Sequence, residues 1–349
     1  MSEGTMLQPA RQRVTNVDAL SRRAPATAPK SRLRRSLPVI IALILTAGLL
    51  TLSVFTGVAD ITDTAGRGHE FTWITRVPRT IALVLAGASM AMAGLIMQLM
   101  TQNRFVEPTT VGTTEWAGLG LLLTYILIPM PSLMLRMVIA IVFAFIGTLI
   151  FFMFLRRVTL KSSLIVPIIG IMFGAVISAV STFIALQFDL LQTLGAWFAG
   201  RFTGIEVGRY EPLWIVAIVA AIVVFVADRF TVAGLGKDVA TNAGLNYERV
   251  VLLGTGLVSI VSGVVTVVIG ALPFLGLIVP NVVSMIRGDN LRSNIFWVFL
   301  TGIWIVTACD IIGRVIIMPF EVPVSLVLGA VGSVVFIFLL LRTRRTIAR

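Results

Sequence analysis

Apolar and polar positions along the chain fall into ten long hydrophobic runs separated by short polar links, roughly 38–59, 79–100, 113–130, 133–155, 163–188, 212–228, 250–271, 275–287, 295–317 and 322–342. Runs of about twenty apolar residues are what a helix needs to cross a bilayer, so each reads as a candidate membrane helix. The eighth is too short to cross alone and contains Pro280, which predicts a bent or broken helix. The stretch 190–211, with Trp197 and Phe198 and with Trp214 just beyond it, reads as interfacial or partly re-entrant rather than spanning.

Composition agrees: 349 residues, 57% hydrophobic and only 13% charged, with a mean hydropathy of +1.00. A soluble domain is not so apolar, and the reading is an all-α polytopic membrane protein of about ten transmembrane helices. Orientation follows from Lys and Arg. Eight of them precede residue 37, and the C-terminus carries Arg342, Arg344 and Arg345, so both termini read as cytoplasmic, which ten spans satisfy. That places 21 of the 28 basic residues inside, including Arg156, Lys161, Lys237 and Arg292. The net charge of +12 is therefore a topology signal, and no nucleic-acid partner is expected. Residues 1–36, rich in Ala, Arg, Pro and Ser, read as a disordered cytoplasmic leader before a permease domain at 37–343, with a short basic tail at 344–349. Cys309 reads as a small buried hydrophobe and His69 as a loop residue, and no metal site is expected. The run Gly234-Leu-Gly236-Lys237 lacks the GxxxxGK[ST] spacing of a phosphate loop, so catalytic residues are not expected and any ATP must be hydrolysed elsewhere.

One polar insert is well organised: Arg229 to Arg249, with Lys237, Asp238, Val239, Ala240, Thr241, Asn242 and Ala243 bracketed by Gly234, Gly236 and Gly244. A short helix here would place Val239 and Ala243 on one face, an apolar stripe fit for another protein's groove; the alternative is an ordinary surface loop. On the other side stand seven arginines that the orientation rule disfavours: Arg67, Arg76, Arg79, Arg136, Arg201, Arg209 and Arg314. Such residues either hold carboxylates of a docking protein or anchor to headgroups, and three on one face favour docking. Asp310 lies four residues before Arg314, the spacing of an intrahelical ion pair. Glu107 and Glu115 are the other carboxylates at membrane depth, and a proton-coupled carrier would need them facing a cavity. Gly87, Ala91 and Gly94, with Met90, Met92, Met97 and Met100 around them, have helix-packing spacing.

These segments taken together resemble the iron–siderophore and cobalamin ABC importer permeases, the FecCD family. The resemblance rests on Arg76-Val-Pro-Arg79-Thr, Ala86-Gly87-Ala88, Ala93-Gly94-Leu-Ile-Met97-Gln98 and Asn103…Pro108-Thr-Thr-Val-Gly112. It continues through Gly236…Ala243-Gly244-Leu245, Gly270-Ala-Leu-Pro-Phe274-Leu-Gly276-Leu-Ile-Val-Pro280, Arg287-Gly288-Asp289, Asp310…Arg314 and Glu321-Val-Pro323, in order over about residues 75–342. Two departures, Asn103-Arg-Phe-Val-Glu-Pro108 for the common Asn-Pro-Leu-Ala-x-Pro and Asn281 where most members have His, are similar to the catecholate or petrobactin-type ferric-siderophore branch and point away from cobalamin and haem. The resemblance implies a type II ABC importer permease fold with ten helices and both termini cytoplasmic, in the bacterial cytoplasmic membrane. It implies that a second permease subunit (a homologue in preference to a second copy) shares one path, and that two ATPase subunits bind ATP and Mg while this chain binds no cofactor. An extracytoplasmic siderophore-binding protein and membrane lipids are the remaining expected partners. By the same resemblance, Gly236, Lys237, Asp238, Val239, Ala240, Ala243, Gly244 and Leu245, within an insert at 233–246, couple to the ATPases. Arg76, Arg79 and Arg314 receive acidic residues of the binding protein, and Gly87, Met90, Gly94, Met97, Gln98, Pro108, Gly112, Pro280 and Asn281 line the path or pack its helices.

Overall fold

The computed structural model describes residues 32–57, 70, 72–157, 164–288 and 291–347. Arg67, His69, Lys161 and the leader before residue 32 lie outside them. Helices are the dominant element of the described residues, joined by turns and coil, and the one β feature among them is an isolated bridge between Ala199 and Ala271. In chain order the helices are α1 (Arg32–Phe55), α2 (Val77–Thr101), α3 (Thr113–Leu127), α4 (Leu133–Leu155), α5 (Ile165–Gln187) and α6 (Leu191–Phe198). There follow α7 (Trp214–Ala233), α8 (Lys237–Asn242), α9 (Tyr247–Val268), α10 (Leu275–Arg287), α11 (Leu291–Val315) and α12 (Val324–Ile347). Two compact units divide the chain inside α1: Met1–Leu45, of which the described part is the first half of α1, and Thr46–Arg349, which holds everything below.

Among the described residues, eight helices are long and apolar enough to cross a membrane. With α3 at 15 residues and α10 at 13, the ten-helix pattern of the sequence is present. As expected, the eighth run is short and contains Pro280, while 190–211 holds only the eight-residue α6 and coil. Local chemistry sets the boundaries. Pro78 stands in the first turn of α2, where a missing N–H costs nothing. Ser132 and Asn246 cap α4 and α9, accepting the N–H of Leu135 at 3.2 Å and of Arg249 at 3.1 Å. Several hydroxyls inside the helices turn back on their own backbone, as Thr124, Thr148 and Thr255 do, which satisfies those donors in an apolar surrounding.

The centre is built on α2 and α9, each with about seventy per cent of its span buried. α2 packs against α7, α9, α10 and α11, and α3, α4 and α9 form a second layer. Two glycine crossings bring backbones together. A Cβ on Gly94 would stand 2.1 Å from the carbonyl oxygen of Gly276 on α10, and one on Gly87 would stand 2.8 Å from that of Gly302 on α11. Met90 and Met97 on the same helix are 2% and 0% exposed, so within this subunit they fill the packed interior rather than face a passage. In contrast α5 and α12 bury only 22% of their spans and display Ile168, Met172, Val176, Leu326 and Val334 outward.

Candidate functional site

Three groups of polar residues interrupt the apolar bundle. The first is the insert after α7. Gly236 (φ +111°) and Gly244 (φ +79°) bracket α8 in backbone conformations that side chains rarely adopt, so the glycines of the sequence pattern define a six-residue helix. Val239 is 48% exposed and Ala243 is also exposed, whereas Ala240 is fully buried where α8 rests on α7 and α9. This corrects the outward role given to Ala240: it seats the insert on its own subunit. Leu235, 65% exposed and four residues before Val239, supplies the outward apolar surface instead. Its i,i+4 spacing was visible in the sequence but is interrupted by Gly236. An ion chain ties the insert to the bundle: Lys237 reaches Glu248 at 3.3 Å, and Glu248 also pairs with Arg156 at the end of α4. A cleft of about 460 Å³ opens beside α8, lined by Gln102, Arg156, Lys237, Val239, Tyr247 and Glu248 among others.

The second group lies at the opposite ends of the helices. Arg79 holds Asp310 at 2.7 Å and Glu321 at 2.9 Å, and Glu321 also accepts from the Thr203 hydroxyl at 2.7 Å. Asp310 makes its i,i+4 ion contact with Arg314 at 2.6 Å, as the spacing predicts. Arg314 also donates to the carbonyls of Ser53 (2.9 Å) and Thr56 (2.7 Å) and to the Ser53 hydroxyl (2.8 Å), and Arg76 donates to the carbonyl of Val54 at 3.0 Å. The Arg314 side chain is only 4% exposed. It is an internal clasp joining the ends of α1 and α11, which corrects its assignment as an outward docking residue. Arg79, at 13%, retains an edge at the surface. Burial alone would raise the Glu321 carboxyl, but its bond and charge contact with Arg79 and its bond from Thr203 hold it below the usual carboxylate range.

The third group joins two segments about 170 residues apart. Glu107 is completely buried. It accepts the N–H of Phe274 at 2.7 Å and of Leu277 at 3.1 Å, together with the Thr109 hydroxyl at 2.6 Å. A carboxylate at the first turn of α10 satisfies donors that a helix start leaves bare and complements its dipole. Phe274 enters that turn with φ +63°. Nearby, Asn281 donates to the carbonyls of Arg104 and Leu277, both at 2.7 Å, and Gln98 donates to that of Gly276 at 3.2 Å. Pro108 opens a single 3-10 turn that Gly112 (φ +83°) closes, and Gly112 lies backbone to backbone against Gly174 of α5. Pro108 and Gly112 thus bound the turn beside Glu107 and Pro280 lies within α10, while Gln98 and Asn281 join Glu107 in one joint that fixes that helix. Glu107 is its centre, a role hidden in the sequence because the partners are distant. Glu115 stands apart, its Oε2 buried with no hydrogen-bond partner among the described residues, beside Gly174. Among the described residues no cluster of side chains suits a metal ion.

The FecCD transport family model matches residues 37–342. The chain is 62% identical over 308 residues to the petrobactin import system permease protein FatD of Bacillus anthracis, covering 88% of this chain and 92% of the relative. It is 41% identical to the petrobactin import system permease YclN of Bacillus subtilis (85% and 95% covered) and 39% identical to the ferric-anguibactin transport system permease FatD of Vibrio anguillarum (78% and 88%). Vitamin B12 import permeases of Salmonella and Citrobacter are similar at 29%. A solved metal-chelate-type ABC transporter in an inward-facing conformation shares the fold, with a TM-score of 0.74 at 20% identity over 87% of this chain and 98% of its own.

Proposed function

The chain belongs to the FecCD transport family, and on that premise we propose that it is the membrane-spanning subunit of an ATP-driven importer that moves a ferric siderophore into the cell. It is a multi-pass protein of the bacterial cytoplasmic membrane. The siderophore reading is supported by the relatives named for petrobactin and anguibactin, against a lower identity to vitamin B12 permeases; haem and cobalamin are the alternatives.

The observation that carries the proposal is the insert. The insert exposes Leu235 just before α8, Val239 on it and Ala243 at its end, while the buried Ala240 sits where α8 rests on α7 and α9. An exposed apolar patch on an anchored helix is a surface for a partner, here a groove on an ATPase subunit that binds ATP and Mg. Through Lys237, Glu248 and Arg156, a push on α8 reaches the start of α9 and the end of α4 together, so it acts on the bundle rather than on a loop. A second permease subunit, a homologue in preference to a second copy, would cover the sparsely buried α5 and α12 and enclose the path. Docking of the extracytoplasmic binding protein falls to the Arg76 and Arg79 edge, with Arg314 holding that edge in place.

The test is uptake and ATP hydrolysis by the assembled importer carrying Leu235→Asp with Val239→Asp. Uptake falls to background while the subunit still inserts; uptake at the normal rate would sink the coupling role. Of the carrier alternative's candidates, Glu107, Glu115 and Asp310, the first is spent on backbone donors and the last on Arg79 and Arg314. Uptake that survives a protonophore at constant ATP separates the two.

A further inference from the structure

Of the seven arginines that orientation leaves on the outer side, the six among the described residues divide into two sets. Arg76, Arg79 and Arg314 are engaged by contacts within the chain. Arg67 lies outside the described residues. The other three, Arg136, Arg201 and Arg209, line a single cavity of about 710 Å³ between the start of α4, the coil after α6 and the end of α9. No Asp or Glu lines it.

Their charges are incompletely answered. Arg209 meets Glu206 at 3.3 Å, with both side chains exposed. The Arg201 side chain has no partner among the described residues, its backbone N–H alone being bonded to Ile269. The Arg136 guanidinium bonds the Tyr125 hydroxyl and lies 5.3 Å over that ring, which in turn stacks on Trp197 at 4.5 Å. Its Nε is nonetheless buried with no acceptor. Guanidiniums gathered in one concavity repel one another without a counter-anion, and their planar forks suit an oxyanion.

The depth says which anion is at hand. From the residue before Arg136, α4 exposes Leu135, Val138, Val142, Ile146 and Ile150, an apolar stripe at helical spacing suited to acyl chains. Trp197 on the cavity wall has the amphipathic ring characteristic of the headgroup level. We propose that this cavity binds the phosphate of an anionic phospholipid of the outer leaflet, the oxyanion held by Arg136 and Arg201 and the tails lying along the α4 stripe. This site is independent of the transport reading above.

The test uses the purified full-length chain, delipidated in detergent, with phosphatidylglycerol, phosphatidylcholine or inorganic phosphate added at equal concentration. Native mass spectrometry reads retained lipid, and thermal unfolding reads stabilisation. Phosphatidylglycerol should be retained and should raise Tm, phosphatidylcholine should do neither, and Arg136→Gln with Arg201→Gln should lower phosphatidylglycerol retention at least fivefold. Arg201 is exposed, so Arg201→Gln alone folds normally and should give a partial loss even if the double variant is unstable. Equal retention by wild type and Arg201→Gln, or equal retention of both lipids, overturns the site. Stabilisation by inorganic phosphate that matches phosphatidylglycerol overturns the lipid as its occupant.

Discussion

Replacing Glu107 with Gln changes one atom type and tests whether the joint under α10 rests on a carboxylate. Oε1 of Glu107 accepts from both Phe274 and Thr109, and Oε2 accepts from Leu277. A glutamine keeps its oxygen where two donors converge and turns its NH2 toward the Leu277 N–H, so donor meets donor in a site with no exposure. Losing a hydrogen bond to a charged group in a buried site costs about 1.5–3 kcal/mol. Since each 1.4 kcal/mol is tenfold, amide exchange at Leu277 should quicken by roughly ten- to a hundredfold if it proceeds through opening of the first turn. Hydrogen-exchange mass spectrometry of the purified chain, read on peptides spanning residues 274–281, measures this against α9 peptides as an internal control. Glu107→Ala, which bares both N–H groups, should be more severe still. Unchanged exchange at the α10 start in Glu107→Gln would refute the reasoning, since the carboxylate would then not be what holds that turn.

Four further outcomes follow from the geometry. Ala240→Leu should unseat α8 and lower Tm, because overpacking a closed contact costs about 1–3 kcal/mol, whereas Val239→Ala, on the exposed side, should leave Tm unchanged. Gly94→Ala should abolish stable expression, since its Cβ would meet the Gly276 carbonyl at 2.1 Å with backbone on both sides; a normal yield of folded protein would show that the crossing is soft. Asp310→Ala removes the carboxylate shared by Arg79 and Arg314, and breaking a buried pair costs about 3–5 kcal/mol, so Tm should fall far more than for Arg209→Ala at an exposed pair. Glu321 is held below its ordinary pKa in the folded protein, so its stabilising effect is complete above the unfolded value and fades as pH drops through the lower folded one; Glu321→Gln should flatten the acid limb of a Tm-against-pH curve, and an identical limb would remove this cause.

Much of the architecture was legible because its signals are local. Apolar length set the spans, Pro280 marked the short α10, and Gly236 and Gly244 marked the insert, all readable within about twenty residues. The Asp310–Arg314 pair was legible for the same reason, being four residues apart on one helix. Three features were not. The Glu107 joint brings together residues 167 and 170 positions apart, and nothing in either segment alone announces a cap supplied from so far along the chain. The outward character of Arg314 was inferred from depth, yet depth fixes only height along the membrane normal and not the direction a side chain takes around its helix. Ala240 is a case of the same limit: in a six-residue helix, small residues on both faces give the apolar period too few turns to point.

The glycine crossings along α2 have a consequence for how such a bundle is able to move. Where Gly87 meets Gly302 and Gly94 meets Gly276, the helices touch through main chain, with no side chains between them to change rotamer. A slide of one helical turn, about 5.4 Å, would carry Gly276 or Gly302 off its glycine and onto the turn that bears Met90 or Met97. Such a contact has one register and no neighbouring one. α2, α10 and α11 are therefore keyed together like teeth in a closed lock, and a rearrangement that kept these contacts would have to fall on thinly packed helices such as α5 and α12.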